Sequence, residues 1–180
     1  IMDHFENGEK FGVNIEYIHE TRPLGTAGAL MFMNVESYPL IVINGDILTQ
    51  LCLDSMWEFH QDHDADMTVA VKEYDLEIPY GVTRTEDERI LSIDEKPVHS
   101  LFVNSGIYLL GPDVYRHIPR RERLDMTEMI RTLLEKKKKV IAFPIAEHWL
   151  DIGRHSDYEK AICQVEGGKA RDRRHNRRKR

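Results

Sequence analysis

Residues 40–47, Leu-Ile-Val-Ile-Asn-Gly-Asp-Ile, constrain the fold more than any other stretch of the chain. Four consecutive apolar residues run straight into Asn44-Gly45-Asp46. A short apolar run bounded by turn residues reads as a strand buried on both faces, the habit of parallel α/β sheets. Ligands of such sheets sit beyond the carboxyl ends of the strands, which puts the Asp46 carboxylate where a ligand would lie. Gly45 lets the backbone turn or be approached at little steric cost, and Asn44 can bond its own turn. Two readings of Asp46 stand open here, an Asx-type turn former and a ligand-facing carboxylate.

The rest of the chain alternates strand and helix patterns. Residues 1–6 read as the end of a helix closed by Asn7-Gly8. Residues 13–18 suit a strand, and Pro23-Leu24-Gly25-Thr26-Ala27-Gly28 makes a small-residue turn opening a short helix through Met33. A helical stripe (Leu53, Met56, Trp57, Phe59) follows the central strand, and residues 67–71 form another short strand. Between Tyr80 and Tyr108 the pattern changes to period two, which predicts antiparallel or mixed strands extending the sheet. A helix over 126–136 ends in four lysines, 136–139, cations suited to a helix C-terminus. Residues 140–145 form a strand interrupted by Pro144, and Trp149-Leu150-Asp151-Ile152-Gly153 turns into a last helix over 156–165, with Ser156 as N-cap. This order predicts an α/β fold.

Charge and cysteine usage narrow the function classes. The net charge of −6 hides a basic tail, residues 167–180, with eight Lys/Arg against the single acid Asp172, so the body carries −13. An acidic body argues against nucleic-acid binding by the fold itself. The tail, with no apolar residue larger than Ala170, is expected to be disordered; a solvated tail is preferred over an electrostatic arm. Cys52 and Cys163 lie far apart without metal-ligand spacing, so a reducing cytoplasm is the expectation. No apolar run reaches membrane-span length, so no membrane partner is expected.

Several short constellations carry candidate chemistry. Glycines at 25 and 28 would let backbone amides approach a ligand, yet the stretch has neither the GxGxxG nor the P-loop spacing. Asp46 and Asp151 each follow an apolar run beside a glycine and could share one Mg²⁺, which keeps waters and takes further ligands from substrate phosphates. For Asp151 a turn-forming role competes. Glu95-Lys96 could receive sugar hydroxyls and a phosphate, although surface Glu-Lys pairs are common. Asn104-Ser105-Gly106 interrupts a strand with small polar residues, a pattern of close ligand approach. No catalytic Ser-His-Asp or Cys-His set is legible, and the nine histidines form no metal-binding pair.

Taken in order, Glu20 to Gly28, Asn44-Gly45-Asp46, Pro79-Tyr80-Gly81-Val82, Glu95-Lys96-Pro97, Val103 to Tyr108 and Trp149 to Gly153 resemble the sugar-1-phosphate nucleotidyltransferases, the nucleoside-diphosphate-sugar pyrophosphorylases. The resemblance covers about residues 1–166. It implies a Rossmann-like α/β fold, a mixed, mainly parallel sheet flanked by helices. It also implies an NTP, a sugar 1-phosphate and Mg²⁺ as reaction partners, with a homo-oligomer compatible. By motif, Asp46 and Asp151 are similar to the Mg²⁺ ligands, and with Lys96 to the catalytic set. Gly25, Thr26, Ala27, Gly28 and Gly45 resemble nucleotide-contacting positions. Tyr80, Gly81, Glu95 and Asn104 are similar to sugar-contacting ones, and Lys96 to the holder of the sugar phosphate. The wording around Pro23 to Gly28 and Asn44 to Asp46 is closest to mannose-1-phosphate guanylyltransferase-like bacterial enzymes, hence GTP as the expected nucleotide. Thymidylyl, uridylyl and cytidylyl transfer stay open.

The family pattern begins with a strand and a Gly-rich loop, approximately GxGTRLxPxTxxxPK, that grips the triphosphate. These 180 residues contain no such segment. The expectation is therefore a catalytic domain over residues 1–166 lacking its phosphate loop and inactive by itself. The alternative is a non-catalytic, nucleotide-sugar-binding regulatory subunit of the same fold.

Overall fold

The computed structural model describes residues 1–33, 39–119 and 122–153, with 157, 158 and 162. The helix expected over 156–165 lies, but for those last three, outside the described residues, and so does the tail. Among the described residues three complete α-helices, α1 (Met2–Phe5), α2 (Leu53–Asp62) and α3 (Met126–Glu135), accompany eight strands. The strands are β1 (Leu40–Ile43), β2 (Ile47–Thr49), β3 (Met67–Glu77), β4 (Gly81–Glu86), β5 (Arg89–Glu95), β6 (Val98–Leu110), β7 (Val140–Pro144) and β8 (Trp149–Asp151).

The main sheet has the order β1-β6-β3-β7. Strands β1, β3 and β7 run one way and β6 the other, so among the described residues the parallel ladder of this sheet is β3 with β7. Pro144 ends the edge strand β7, where a missing N–H costs no ladder bond. Alternation along the strands splits the core in two. Met67, Val69, Val71, Tyr108 and Leu110 face the side covered by Met126, Met129 and Leu133 of α3. Ala70, Ile107 and Leu109 face the side of Met56 and Trp57 on α2. The result is a three-layer α/β sandwich.

Strands β3 to β6 form one long two-stranded ribbon. Its inner half lies in the sheet, and β3 and β6 pair out to Glu77 opposite Val98. Two loop bonds, Ile78 N–H to Pro97 O (3.1 Å) and Lys96 N–H to Tyr80 O (3.3 Å), lead into the β4/β5 hairpin. The period-two reading of 80–108 is realised as this ribbon, whose outer part is exposed on β5 throughout.

Three expectations need correction. Strand β1 is not buried on both faces: it is the sheet's edge, and Ile41 and Ile43 are 36% and 44% exposed. Residues 13–18 form no strand. Their backbone and hydroxyl bonds stay local, Ile15 N–H to Asn7 O and Tyr17 OH to Glu6 O, and no neighbouring strand among the described residues offers a ladder. Trp149 to Asp151 is a short strand rather than a turn, because it pairs antiparallel with β2. The lysine run is engaged within the fold, Lys138 with Asp66 at 3.0 Å and the Lys139 amide with the other Asp66 oxygen at 2.8 Å. Burial pushes the Asp66 carboxyl up, but these bonds outweigh it and hold it below the usual range. No helix among the described residues is long and apolar enough to cross a membrane.

Candidate active site

The turn after β1 is built by close approach to β6. Asn44 N–H donates to the Gly106 carbonyl at 2.9 Å, and Gly106 sits at φ +74° with the Asn44 side chain against it. A Cβ there would stand 2.7 Å from Asn44 Nδ2, so only glycine fits. The chain then passes through Gly45 and Asp46 into β2. Ile47 pairs with Asp151, and Ile152 N–H donates to the Asp46 carbonyl at 2.8 Å. Asp151 thus sits opposite Ile47 at the end of the ladder, and Asp46 lies in the turn one residue before it; both are exposed.

Two bonds fix that ladder on the main sheet. The Trp149 indole N–H donates to the Ser105 carbonyl at 2.8 Å, and Ser105 Oγ donates to the Ala70 carbonyl at 2.7 Å from a fully buried position. Lys72 reaches across from β3 to donate to the carbonyls of Ile145 and Glu147 at 3.0 and 3.1 Å, holding the loop before β8. Asp151 Oδ1 accepts the Gly153 N–H at 2.8 Å, so Asp151 is a turn former; its second oxygen has no hydrogen-bond or ion-pair partner among the described residues. The Asp46 carboxylate has no hydrogen-bond or ion-pair partner among the described residues, and a Cβ on Gly45 would meet nothing within 4 Å. This side of the turn is open.

The donor set suits a hard cation. Asp46 and Asp151 could each offer carboxylate oxygens, and among the described residues no group of three or more His, Cys, Asp or Glu is placed to hold a metal ion. Such a set could serve Mg²⁺, which takes one or two carboxylates and fills its octahedron with waters and phosphate oxygens.

The sugar-side residues form a second cluster, at the kink of the ribbon. Gly81 pairs with Glu95, whose Oε2 stands 3.0 Å from where a Gly81 Cβ would be. Lys96 adopts φ +49° and bonds Tyr80 through its amide; Tyr80 is 74% exposed. Asn104 lies apart, at the base of the ribbon. Its Oδ1 accepts the Gly106 N–H at 3.0 Å and its Nδ2 donates to the Tyr108 hydroxyl at 2.8 Å. Burial pushes the Tyr108 hydroxyl up, partly offset by the Asn104 bond, so it stays protonated. No hydrogen bond or ion pair among the described residues joins the kink to the aspartate pair.

The 24–28 turn packs against the start of α3. Thr26 N–H donates to Asp125 Oδ1 (3.1 Å), Ala27 N–H to Leu124 O (3.0 Å) and Gly28 N–H to Gly25 O (3.0 Å). Gly25 holds φ +90° under the Leu124 carbonyl, and Leu24 packs where a Cβ of Gly28 would be. Three amides available on paper for a ligand are therefore engaged inside the protein, leaving the exposed edge of Thr26. Sequence reasoning missed the Asp125 contact; the D-x-x-E spacing of Asp125 and Glu128 was the available signal of a capped helix start.

A family model described as nucleotidyl transferase matches residues 1–168. A probable mannose-1-phosphate guanylyltransferase of Arabidopsis thaliana is 35% identical over 85% of this chain and 49% of its own length. A mannose-1-phosphate guanyltransferase of Pichia angusta is 31% identical over 86% and 45%. The chain thus spans about half the length of these curated relatives. Among solved structures, HddC from Yersinia pseudotuberculosis is 27% identical with a TM-score of 0.67, covering 91% of this chain and 72% of that one.

Proposed function

Since the chain belongs to the nucleotidyl transferase family, we propose that it carries the metal and sugar side of an enzyme joining an NTP to a sugar 1-phosphate. GTP and mannose 1-phosphate are the proposed pair, after the names of the relatives. In the reaction a phosphate oxygen of the sugar 1-phosphate attacks the α-phosphorus, the α–β phosphoanhydride bond breaks, and pyrophosphate leaves. No covalent enzyme intermediate is required, so rate comes from alignment and neutralised charge.

The observation that supports the reading is the pairing of β2 with β8, which brings the Asp46 turn beside Asp151 next to the open Gly45 backbone. These two residues would hold Mg²⁺, which when bound neutralises and orients phosphate oxygens. Lys96 supplies a point charge for the sugar phosphate, and Glu95 with Tyr80 supplies acceptors and a ring for sugar hydroxyls. Asn104 adds an amide from the ribbon base. The exposed edge of residues 25–28, with Gly45, would meet the nucleotide. Residues 1–166 are proposed as the catalytic unit, working in the cytoplasm, with the basic tail outside it.

The test is pyrophosphate release by the full gene product with Mg²⁺, each of the four NTPs and a panel of hexose 1-phosphates. The highest kcat/KM is expected for GTP with mannose 1-phosphate. Release with no sugar 1-phosphate of the panel, by a protein that still binds NTP, would leave a binding subunit instead.

A further inference from the structure

The 24–28 turn has one internal bond, Gly28 N–H to Gly25 O at 3.0 Å, and Leu24 N–H donates to Glu20 Oε2 at 3.1 Å, but its Thr26 edge is held from outside. It is clasped to the start of α3 by reciprocal bonds. Thr26 N–H donates to Asp125 Oδ1 at 3.1 Å, and Met126 N–H donates back to Thr26 Oγ1 at 2.8 Å. Around them, Leu124 N–H donates to Leu24 O at 2.7 Å and Ala27 N–H to Leu124 O at 3.0 Å. Asp125 is thus shared between two jobs. It closes a capping box with Glu128, whose Oε2 accepts the Asp125 N–H at 3.0 Å, and it holds the turn through Oδ1. Its other oxygen, Oδ2, pairs with Arg123 at 2.7 Å. Gly25, at φ +90°, leaves room for this contact: a Cβ built there would stand 2.6 Å from Asp125 Oδ1, too close for any side chain.

We propose that Asp125 is a positioning residue for nucleotide binding: its carboxylate fixes the Thr26 edge of the 25–28 turn in the orientation that meets the base. This rests on the nucleotide role proposed above for that turn. A carboxylate accepting a backbone amide gives a charge-assisted bond, stronger than a neutral one. Without it the turn keeps the Leu24 N–H bond to Glu20 Oε2 at its start (3.1 Å) and neutral bonds to 124 and 126, but nothing holds the Thr26 amide, and that exposed edge samples orientations that do not suit the ligand. The cost appears as weaker binding because the competent conformer becomes a smaller fraction of the population.

The capping function and the clasp separate by substitution. Asp125→Ser preserves the cap, since Ser with Glu three residues on is the standard box, but its single short oxygen does not reach the Thr26 amide. Asp125→Asn preserves an acceptor at the Oδ1 position. Titration calorimetry of the full gene product with Mg²⁺ and GTP or UTP should show Asp125→Ser raising the GTP Kd by about 10-fold, as expected for loss of one charge-assisted bond. GTP/UTP discrimination should narrow while the melting temperature stays near the wild type. Asp125→Asn should restore the GTP Kd to within about threefold, its bond being neutral rather than absent. An unchanged GTP Kd in a folded Asp125→Ser would overturn the proposal while leaving the nucleotide role of the turn intact. Failure of both variants to fold would also overturn it, as the carboxylate would then serve the fold alone. Wild-type protein that binds neither GTP nor UTP would remove the nucleotide role first and this inference with it.

Discussion

Replacing Gly106 by alanine should damage the fold and the site together, by an amount the geometry sets. An L-residue at φ +74° costs ~1–2 kcal/mol in left-handed backbone. Its Cβ would also stand 2.7 Å from Asn44 Nδ2 and 3.0 Å from Cγ, so Asn44 must move. Asn44 gives its N–H to the Gly106 carbonyl at 2.9 Å, and weakening that bond adds ~1 kcal/mol. The sum is ~2–3 kcal/mol, or a melting temperature lower by about 4–12 °C for a chain of this size. Because Asn44 leads through Gly45 into Asp46, the same shift should displace the carboxylate and lower kcat/KM beyond the stability loss. Gly45→Ala is the control: its φ is not positive and its Cβ meets nothing within 4 Å, so stability should stay within ~0.5 kcal/mol. Thermal unfolding by far-UV circular dichroism checks both. Equal melting of Gly106→Ala and wild type, or an equal fall for Gly45→Ala, would refute the packing argument.

Two further outcomes follow from single contacts. Trp149→Phe keeps the ring volume near the sheet but removes the 2.8 Å donor to Ser105 O; urea unfolding should show a loss of ~1–2 kcal/mol, with turnover falling as β8 loosens under Asp151. His60, buried and bonded through Nδ1 to Thr68 Oγ1 at 2.8 Å, has its pKa lowered by burial, against the pull of Asp64 and Asp66. The folded protein therefore binds this proton less readily than the unfolded chain. The stability from neutral His60 is complete above its ordinary value near 6.5 and declines as pH falls through the folded value. Unfolding free energies between pH 7.5 and 5 should fall in wild type and flatten in His60→Gln.

Strand and helix identity were legible where a single pattern sufficed. The apolar run at 40–43 was enough to place β1, and the stretch 126–136 enough to place α3, because both patterns are local. Partnership was not legible. Nothing in residues 40–43 says whether both ladder edges are occupied, so burial of Ile41 and Ile43 was overestimated. Residues 13–18 had an adequate alternation but no neighbour, and an unpaired strand leaves backbone groups to local bonds or water. The short strand β8 was hidden for the reverse reason, since three residues with an aspartate look like a turn until β2 pairs with them. In the site, the proximity of Asp46 to Asp151 follows from that pairing, whereas the clasp of Thr26 to Asp125 joins residues 99 apart and leaves only a capping signature in the chain. Motif order pointed to the family; contacts across the fold decide what each residue can reach.

The most direct test of the account is a double-mutant cycle on the aspartate pair. Pyrophosphate release from GTP and mannose 1-phosphate is measured with saturating Mg²⁺ for wild type, Asp46→Asn, Asp151→Asn and the double variant of the full gene product. Two carboxylates acting on one cation predict a loss of at least about 100-fold for each single variant, a loss of several kcal/mol in charge stabilisation. The double variant should fall little further, since groups acting as a unit are not additive. Near wild-type turnover in either single variant, or losses that multiply in the double, would contradict a shared metal site on the β2/β8 ladder.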